Sequence, residues 1–266
     1  MAIIPTSIPS YSYTGTKPTT VLNPSWGWYI ICAGSCTITF TQNQNVDVFI
    51  CGGGGSGGKG EDNTGGGGGG GGYTTTKKNI ALTGGKAYTV TVGSGGGKSW
   101  AFTEGSYYAN AGGNGGNGSL VWGGGGGAGT GCGGGGGDKG GDYGSCWGGA
   151  GGDGVLPFGT SYGSSYLSWK YGAGGGGGGS ATYPSGAGGV TGGGSNSAGK
   201  ANTGGGGGGG RDSWSGGYAG GSGIVIIRNS EVLTLPITFE GNSSILGITY
   251  QGKEVTNMSF NTKTLF

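Results

Sequence analysis

The chain has 266 residues, of which 81 are glycine and only 7 proline, and its glycines follow no strict every-third-residue period, which excludes collagen. Thirteen basic residues against 11 acidic ones leave a formal net charge of +2. The basic residues are scattered, so no electrostatic stripe points to a nucleic acid.

Residues 1–27 are rich in Pro, Ser, Thr and Tyr and read as an extended N-terminal arm. They lack a basic n-region, and Pro5 and Pro9 interrupt any apolar stretch, so export by a signal peptide is not expected. A β-framed, glycine-rich domain is expected over residues 28–228. Trp28 to Ile31, Cys36 to Phe40 and Val46 to Cys51 read as strands, with Ala33, Gly34 and Ser35 as the first turn. Tyr73 to Leu82 and Ala87 to Val92 follow as two more strands joined at Gly84-Gly85, and Ile224 to Arg228 closes the domain. The longest apolar run, Trp28 to Ala33, is far too short to cross a bilayer as a helix, so no membrane insertion is expected.

Between these strands lie the glycine runs, including Gly52 to Gly55, Gly65 to Gly72, Gly123 to Gly127, Gly133 to Gly137, Gly174 to Gly179 and Gly204 to Gly210. They are either a flexible spacer or an ordered array. Aromatic residues punctuate the tract, and disordered linkers are poor in such residues because aromatics drive burial. An extended, three-residue-per-turn helix offers the ordered alternative, rising about 3.1 Å per residue without internal hydrogen bonds. Gly65 to Gly72 would span roughly 25 Å at that rise. The amides and carbonyls of such a run point sideways and need neighbouring chains. Ordering a backbone costs about 1–2 kcal/mol per residue and a hydrogen bond returns about 0.5–1.5 kcal/mol, so one run cannot order itself. Several runs clamped by a β frame can. Residues 229–266 return to ordinary composition and read as a C-terminal β module for attachment or oligomerisation. Its expected strands are Leu233 to Phe239, Ile245 to Tyr250, Glu254 to Phe260 and Lys263 to Phe266, with turns that include Gln251-Gly252. The expected fold class is therefore all-β: a small antiparallel sandwich frame with inserted glycine-rich helices, plus the short C-terminal module.

Catalytic constellations are poorly represented. The chain has no histidine, which excludes Ser-His-Asp and Cys-His arrangements and weakens any metal site. Gly53 to Lys59 has phosphate-loop spacing, but Gly60 replaces the Ser or Thr that holds magnesium, and no helix pattern follows. No cofactor, no metal and no enzymatic activity are expected. The five cysteines are an odd number without an export signal, so they read as small buried thiols, with Cys132 and Cys146 able to pair if oxidised. Aromatic rings mixed with Asp, Asn or basic residues suit sugars and other surface polymers. The candidate binding residues on that ground are Tyr143, Trp147, Tyr166, Trp169, Tyr171, Arg211 and Trp214. The opposing reading is that these rings cover the ends of the glycine array.

The passage Val46-Asp47-Val48-Phe49-Ile50-Cys51-GGGGSGGKG, followed by GGGGGGGGYTTTKK and Tyr88-Thr89-Val90-Thr91-Val92-Gly93, resembles glycine-rich domains of bacteriophage tail and virion proteins. Gly223-Ile224-Val225-Ile226-Ile227-Arg228 is similar to their closing strand, and Ile248 to Val255, Phe260-Asn261-Thr262 and Phe266 look like a C-terminal repeat of phage structural proteins. The resemblance covers residues 28–266. It implies a β frame carrying packed polyglycine II helices, as in tail-fibre tip adhesins, with receptor contacts on the loops that join the helices. It also implies a non-enzymatic virion protein, released by lysis, that assembles with other virion proteins as a homo-oligomer such as a trimer. Its partner outside the particle would be a host surface glycan or protein. A capsid decoration or head fibre without a ligand of its own is the alternative. Ice binding by a polyglycine slab is a remote third, because the expected Gly-x-x triplets do not run regularly along the chain.

Overall fold

The structure, a computed structural model, describes residues 5–61, 64–102, 105–119, 124–131, 148–159, 166–178, 185–211 and 215–230, and the backbone of 249–250 and 253–254. The chain divides into two compact units, one of residues 4–232 and one joining residues 1–3 to residues 233–266.

In the first unit two five-stranded sheets form the frame. The strands are β1 (Tyr11–Gly15), β2 (Thr19–Asn23), β3 (Gly27–Cys32), β4 (Cys36–Phe40) and β5 (Gln44–Cys51). They continue as β6 (Thr74–Leu82), β7 (Ala87–Thr91), β8 (Ser99–Ala101), β9 (Tyr108–Ala109) and β10 (Ile224–Asn229). One sheet has the order β1-β4-β7-β8-β9 and the other β2-β3-β10-β5-β6. The pairings are antiparallel throughout. The fold is all-β, as expected, and the six strands read from the hydrophobic pattern are present. β1, β2, β8 and β9 are additional. Residues 11–23, expected as an arm, lie as edge strands on β4 and β3.

Inward residues of both sheets share one core. It includes Trp28, Ile30, Ile38, Phe40, Val48, Ile50, Val90, Val225 and Ile227. The outer face of the second sheet is covered too, because Tyr29, Ile31, Phe49, Cys51, Ile224 and Ile226 pack with Leu167 and Tyr171. Two covered faces explain why every residue of β3 and β10 is buried and why both read as unbroken apolar runs. One charge pair lies in that second layer. Arg228 sits across the ladder from Asp47, and its Nε and Nη2 donate to Asp47 Oδ2 at 3.1 and 2.9 Å.

The glycine runs grow directly out of this ladder. Where β10, β5 and β6 end side by side, Gly52 N donates to Tyr73 O at 3.0 Å, one step past the Cys51 and Thr74 pair. From there each run bonds sideways with a step of three residues. Gly52, Gly55 and Gly58 donate to Tyr73, Gly70 and Gly67. Gly66, Gly69 and Gly72 donate to Gly210, Gly207 and Gly204, whereas Gly67, Gly70 and Tyr73 donate to Gly116, Gly113 and Asn110. Gly175 and Gly178 reach Gly69 and Gly66 from another side, and Gly124 and Gly127 reach Gly65 and Gly68 from yet another. The 65–72 run is thus surrounded by hydrogen-bonded neighbours. Among the described residues the only helical turn is the three-residue 3-10 turn Pro157–Gly159.

Close approach is what removes the side chains. A Cβ added at any position from Gly66 to Gly72 would lie 1.8–2.1 Å from a carbonyl oxygen of the next run. Runs at the periphery are spelled differently. Ala111, Asn114 and Asn117 recur every third residue, as do Ser56 and Lys59, Ala150 and Asp153, and Ala187 and Val190. Asn114 Oδ1 and Asn117 Oδ1 accept from Ser56 N and Lys59 N at 3.0 and 2.9 Å, so their side chains finish the bonding pattern at its edge. Short triplets are therefore present in the outer runs, although they do not run regularly along the chain.

In the second unit β11 (Thr249–Tyr250) pairs antiparallel with β12 (Lys253–Glu254), on either side of the expected turn at Gln251-Gly252. The other expected strands of the C-terminal module lie outside the described residues.

Candidate functional site

Hydrogen-bond partners give each run a direction. The β frame lies at one end of the array, and the far ends of several runs collect at the other. There Gly210 N donates to Gly58 O, Gly66 N to Gly210 O, Gly178 N to Gly66 O and Gly118 N to Lys59 O, at 2.7–2.8 Å. Glu61 and Thr64 close the hairpin between two runs through paired backbone bonds of 2.8 and 3.1 Å. Thr64 Oγ1 also donates to Glu61 O and, at 2.8 Å, to Ser119 O. Arg211 follows Gly210 directly, and its amide is fixed by Ser215 Oγ at 2.7 Å. Lys59 follows Gly58, so Lys59 and Arg211 leave the lattice from two hydrogen-bonded runs. Lys59 and Glu61 are exposed and Arg211 is half-buried.

The expected binding residues divide between the two ends. Tyr166, Trp169 and Tyr171 come together at the frame. Tyr171 is wholly buried against Phe49, with ring centroids 5.4 Å apart, and its hydroxyl donates to Tyr166 O at 2.5 Å. Desolvation is the main cause that pushes its phenol well above the ordinary value, so it stays neutral. It is a core residue, which corrects its assignment to a contact surface. Tyr166 and Trp169 pair at 5.1 Å between centroids and are half-buried on the same cluster. Lys200 Nζ sits 3.6 Å from the Trp169 ring centre, a cation–π contact that occupies one ring face. Arg211 stands at the other end of the 204–210 run, roughly 20 Å away at about 3.1 Å per residue. Tyr143, Trp147 and Trp214 lie outside the described residues.

Residue-type reasoning missed three features. Lys200 is separated from Trp169 by a run and a turn, so nothing local links them. Asp153 pairs with Lys170 at 2.9 Å and accepts from Val190 N at 2.9 Å. Those two partners, Lys170 first, hold its carboxyl below the ordinary value. Asn114 and Asn117 could have been found from their triplet spacing. Among the described residues no three His, Cys, Asp or Glu side chains gather where a metal ion could be held.

What this arrangement does chemically is hold loop ends in fixed relative positions on a backbone scaffold. The family of the glycine-rich domain matches residues 31–230. That span runs from the end of β3 to just past the end of β10 and so takes in most of the frame and the whole glycine tract. No curated protein matches the chain. With three quarters of its length matched from frame strand to frame strand, the chain belongs to the glycine-rich domain family.

Proposed function

We propose that this protein is a non-enzymatic bacteriophage virion component, a tail-fibre or receptor-binding protein that meets a bacterial surface molecule. In this reading the glycine runs are polyglycine II helices, since the three-residue step of their lateral bonds is the period of that helix. The observation that carries the functional reading is the gathering of several run ends, with Lys59, Glu61 and Arg211 among them, at the pole opposite the frame. A rigid scaffold that presents loops at one end suits recognition, because little ordering entropy is lost on contact. The proteins that share the particle and the second copies of this chain would then attach on the frame side or through the C-terminal module.

The test is direct binding of purified protein to host cells and to isolated envelope glycans. Saturable binding that falls at least tenfold in a Lys59→Ala, Arg211→Ala double variant supports the reading. Absence of binding to any envelope fraction overturns it. A second reading, a capsid decoration or head fibre with no ligand, is favoured by one observation: Tyr171 and Trp169 are committed to the frame and to Lys200. Locating the protein on the head of an assembled particle would decide for it.

A further inference from the structure

The chain passes from one sheet of the frame to the other between Cys32, the last residue of β3, and Cys36, the first of β4. These two strands do not pair with each other. Both thiols point into the core between the sheets, and their sulfurs lie 3.6 Å apart. The backbone around them is fixed from several sides. Cys36 is in register with Gly15 on one side and Val90 on the other, and Cys32 with Val225. The intervening turn is pinned by Thr16 N and Val92 N, which donate to Ser35 O and Ser35 Oγ at 3.0 Å. Closing the sulfurs from 3.6 Å to a disulfide length of about 2.05 Å asks them to approach by about 1.5 Å.

We propose that Cys32 and Cys36 are a modification site, a reversible disulfide that joins the two sheets when the protein meets a peroxide. Cys36 reacts first. It is 5% exposed against 1% for Cys32, and the Cys32 thiol beside it lowers its pKa and favours the thiolate. The Cys36 thiolate attacks one peroxide oxygen, the O–O bond breaks, and a sulfenic acid and hydroxide form. Cys32 sulfur then attacks the sulfenic sulfur, its proton leaves with the departing hydroxide as water, and the S–S bond forms. Two thiols and one hydrogen peroxide thus give one disulfide and two waters. Cys51 serves as the internal contrast. It is fully buried against Gly52 O and Thr203 O, and desolvation raises its pKa, which keeps it an unreactive thiol. The edge strand β1 covers the reactive pair through the half-buried Tyr11, so opening of that edge admits the oxidant.

The site is tested on the folded full-length chain, reduced and then exposed to hydrogen peroxide. Chymotryptic peptide 30–40 carries Cys32 and Cys36 and no other cysteine, whereas Cys51 falls outside it. Expected is a two-hydrogen mass loss in that peptide, reversed by a dithiol, with Cys51 still free to be alkylated after unfolding. Oxidation should also raise the melting temperature, by roughly 4–8 °C for so short a loop, and this rise should vanish in Cys36→Ala and in Cys32→Ala. Two variants guard against one that fails to fold. Recovery of peptide 30–40 with both thiols alkylated, or with either joined to another cysteine, overturns the site. A disulfide that leaves the melting temperature unchanged overturns the joining of the sheets.

Discussion

Arg228 and Asp47 show what a single pair contributes to this frame. Both side chains are almost wholly buried, at 2% and 1% exposure, so neither charge has water to fall back on. Asp47 also accepts from Asn79 N and Ser230 Oγ through Oδ1, and the Phe158 ring lies 4.2 Å from the guanidinium carbon. Asp47→Ala removes a buried carboxylate that takes two hydrogen bonds from that guanidinium and should cost about 3–5 kcal/mol, read from the urea midpoint. A loss below about 1 kcal/mol would mean that other groups or solvent take over the guanidinium when Asp47 is gone. Tyr171 and Cys51 both contribute to the alkaline limit. Burial raises both pKa values in the folded state, so the folded protein keeps protons that the unfolded chain releases near pH 8.5 and 10. Their contribution is complete below those values and is lost as pH rises through them. Stability should fall by up to about 1.4 kcal/mol per pH unit and per group above that range. Urea midpoints at pH 7, 9 and 11 check the sign, and Tyr171→Phe should flatten the fall above pH 10.

At the scale of an element, the glycine runs are of two kinds. Gly69 lies in an inner run, where an added Cβ would sit 2.0 Å from Gly55 O; at Gly125, in an outer run, it would meet nothing within 4 Å. Gly69→Ala should therefore destabilise by roughly 4 kcal/mol or more, or abolish folding, since backbone and not a flexible side chain must move. Gly125→Ala should be neutral or gain roughly 0.4–1 kcal/mol by restricting the unfolded chain. Denaturation midpoints of the two variants distinguish a lattice from a spacer. The same contrast explains what could be read in advance. β3, β4, β5 and β10 were legible because their apolar pattern answers to burial on one or both faces. β1 and β2 were not, since their mostly exposed residues pair through the backbone and leave no apolar signature. The eight-glycine run 65–72 marked the interior and triplets such as Ala111, Asn114 and Asn117 marked the rim, although the pure-glycine run 123–127 also has an open position at Gly125. For the candidate site, ring type alone could not separate Tyr171, which fills a core, from a ring that faces a ligand, because both need a large apolar surface.

Across the whole molecule, the frame and the glycine array form one hydrogen-bonded body, not a domain with a tether. Amides of residues 65–72 and 204–210 should then resist hydrogen exchange as strongly as those of β3, β5 and β10, although no side chains shield them. Exchange within seconds, against hours for the strands, would return the tract to a flexible linker. The mixed directions of the runs have a further consequence. Bonds from Gly52, Gly55 and Gly58 join antiparallel neighbours, whereas those from Gly112, Gly115 and Gly118 to Gly53, Ser56 and Lys59 join parallel ones. All lie across the long axis of the array. A pull between the distal loops and the frame therefore loads many rows in shear at the same moment, and no row can peel open ahead of the rest. Without side chains to rearrange, the tract has little slack to give. It should act as a stiff strut that carries force from whatever holds its far end to whatever anchors its strands.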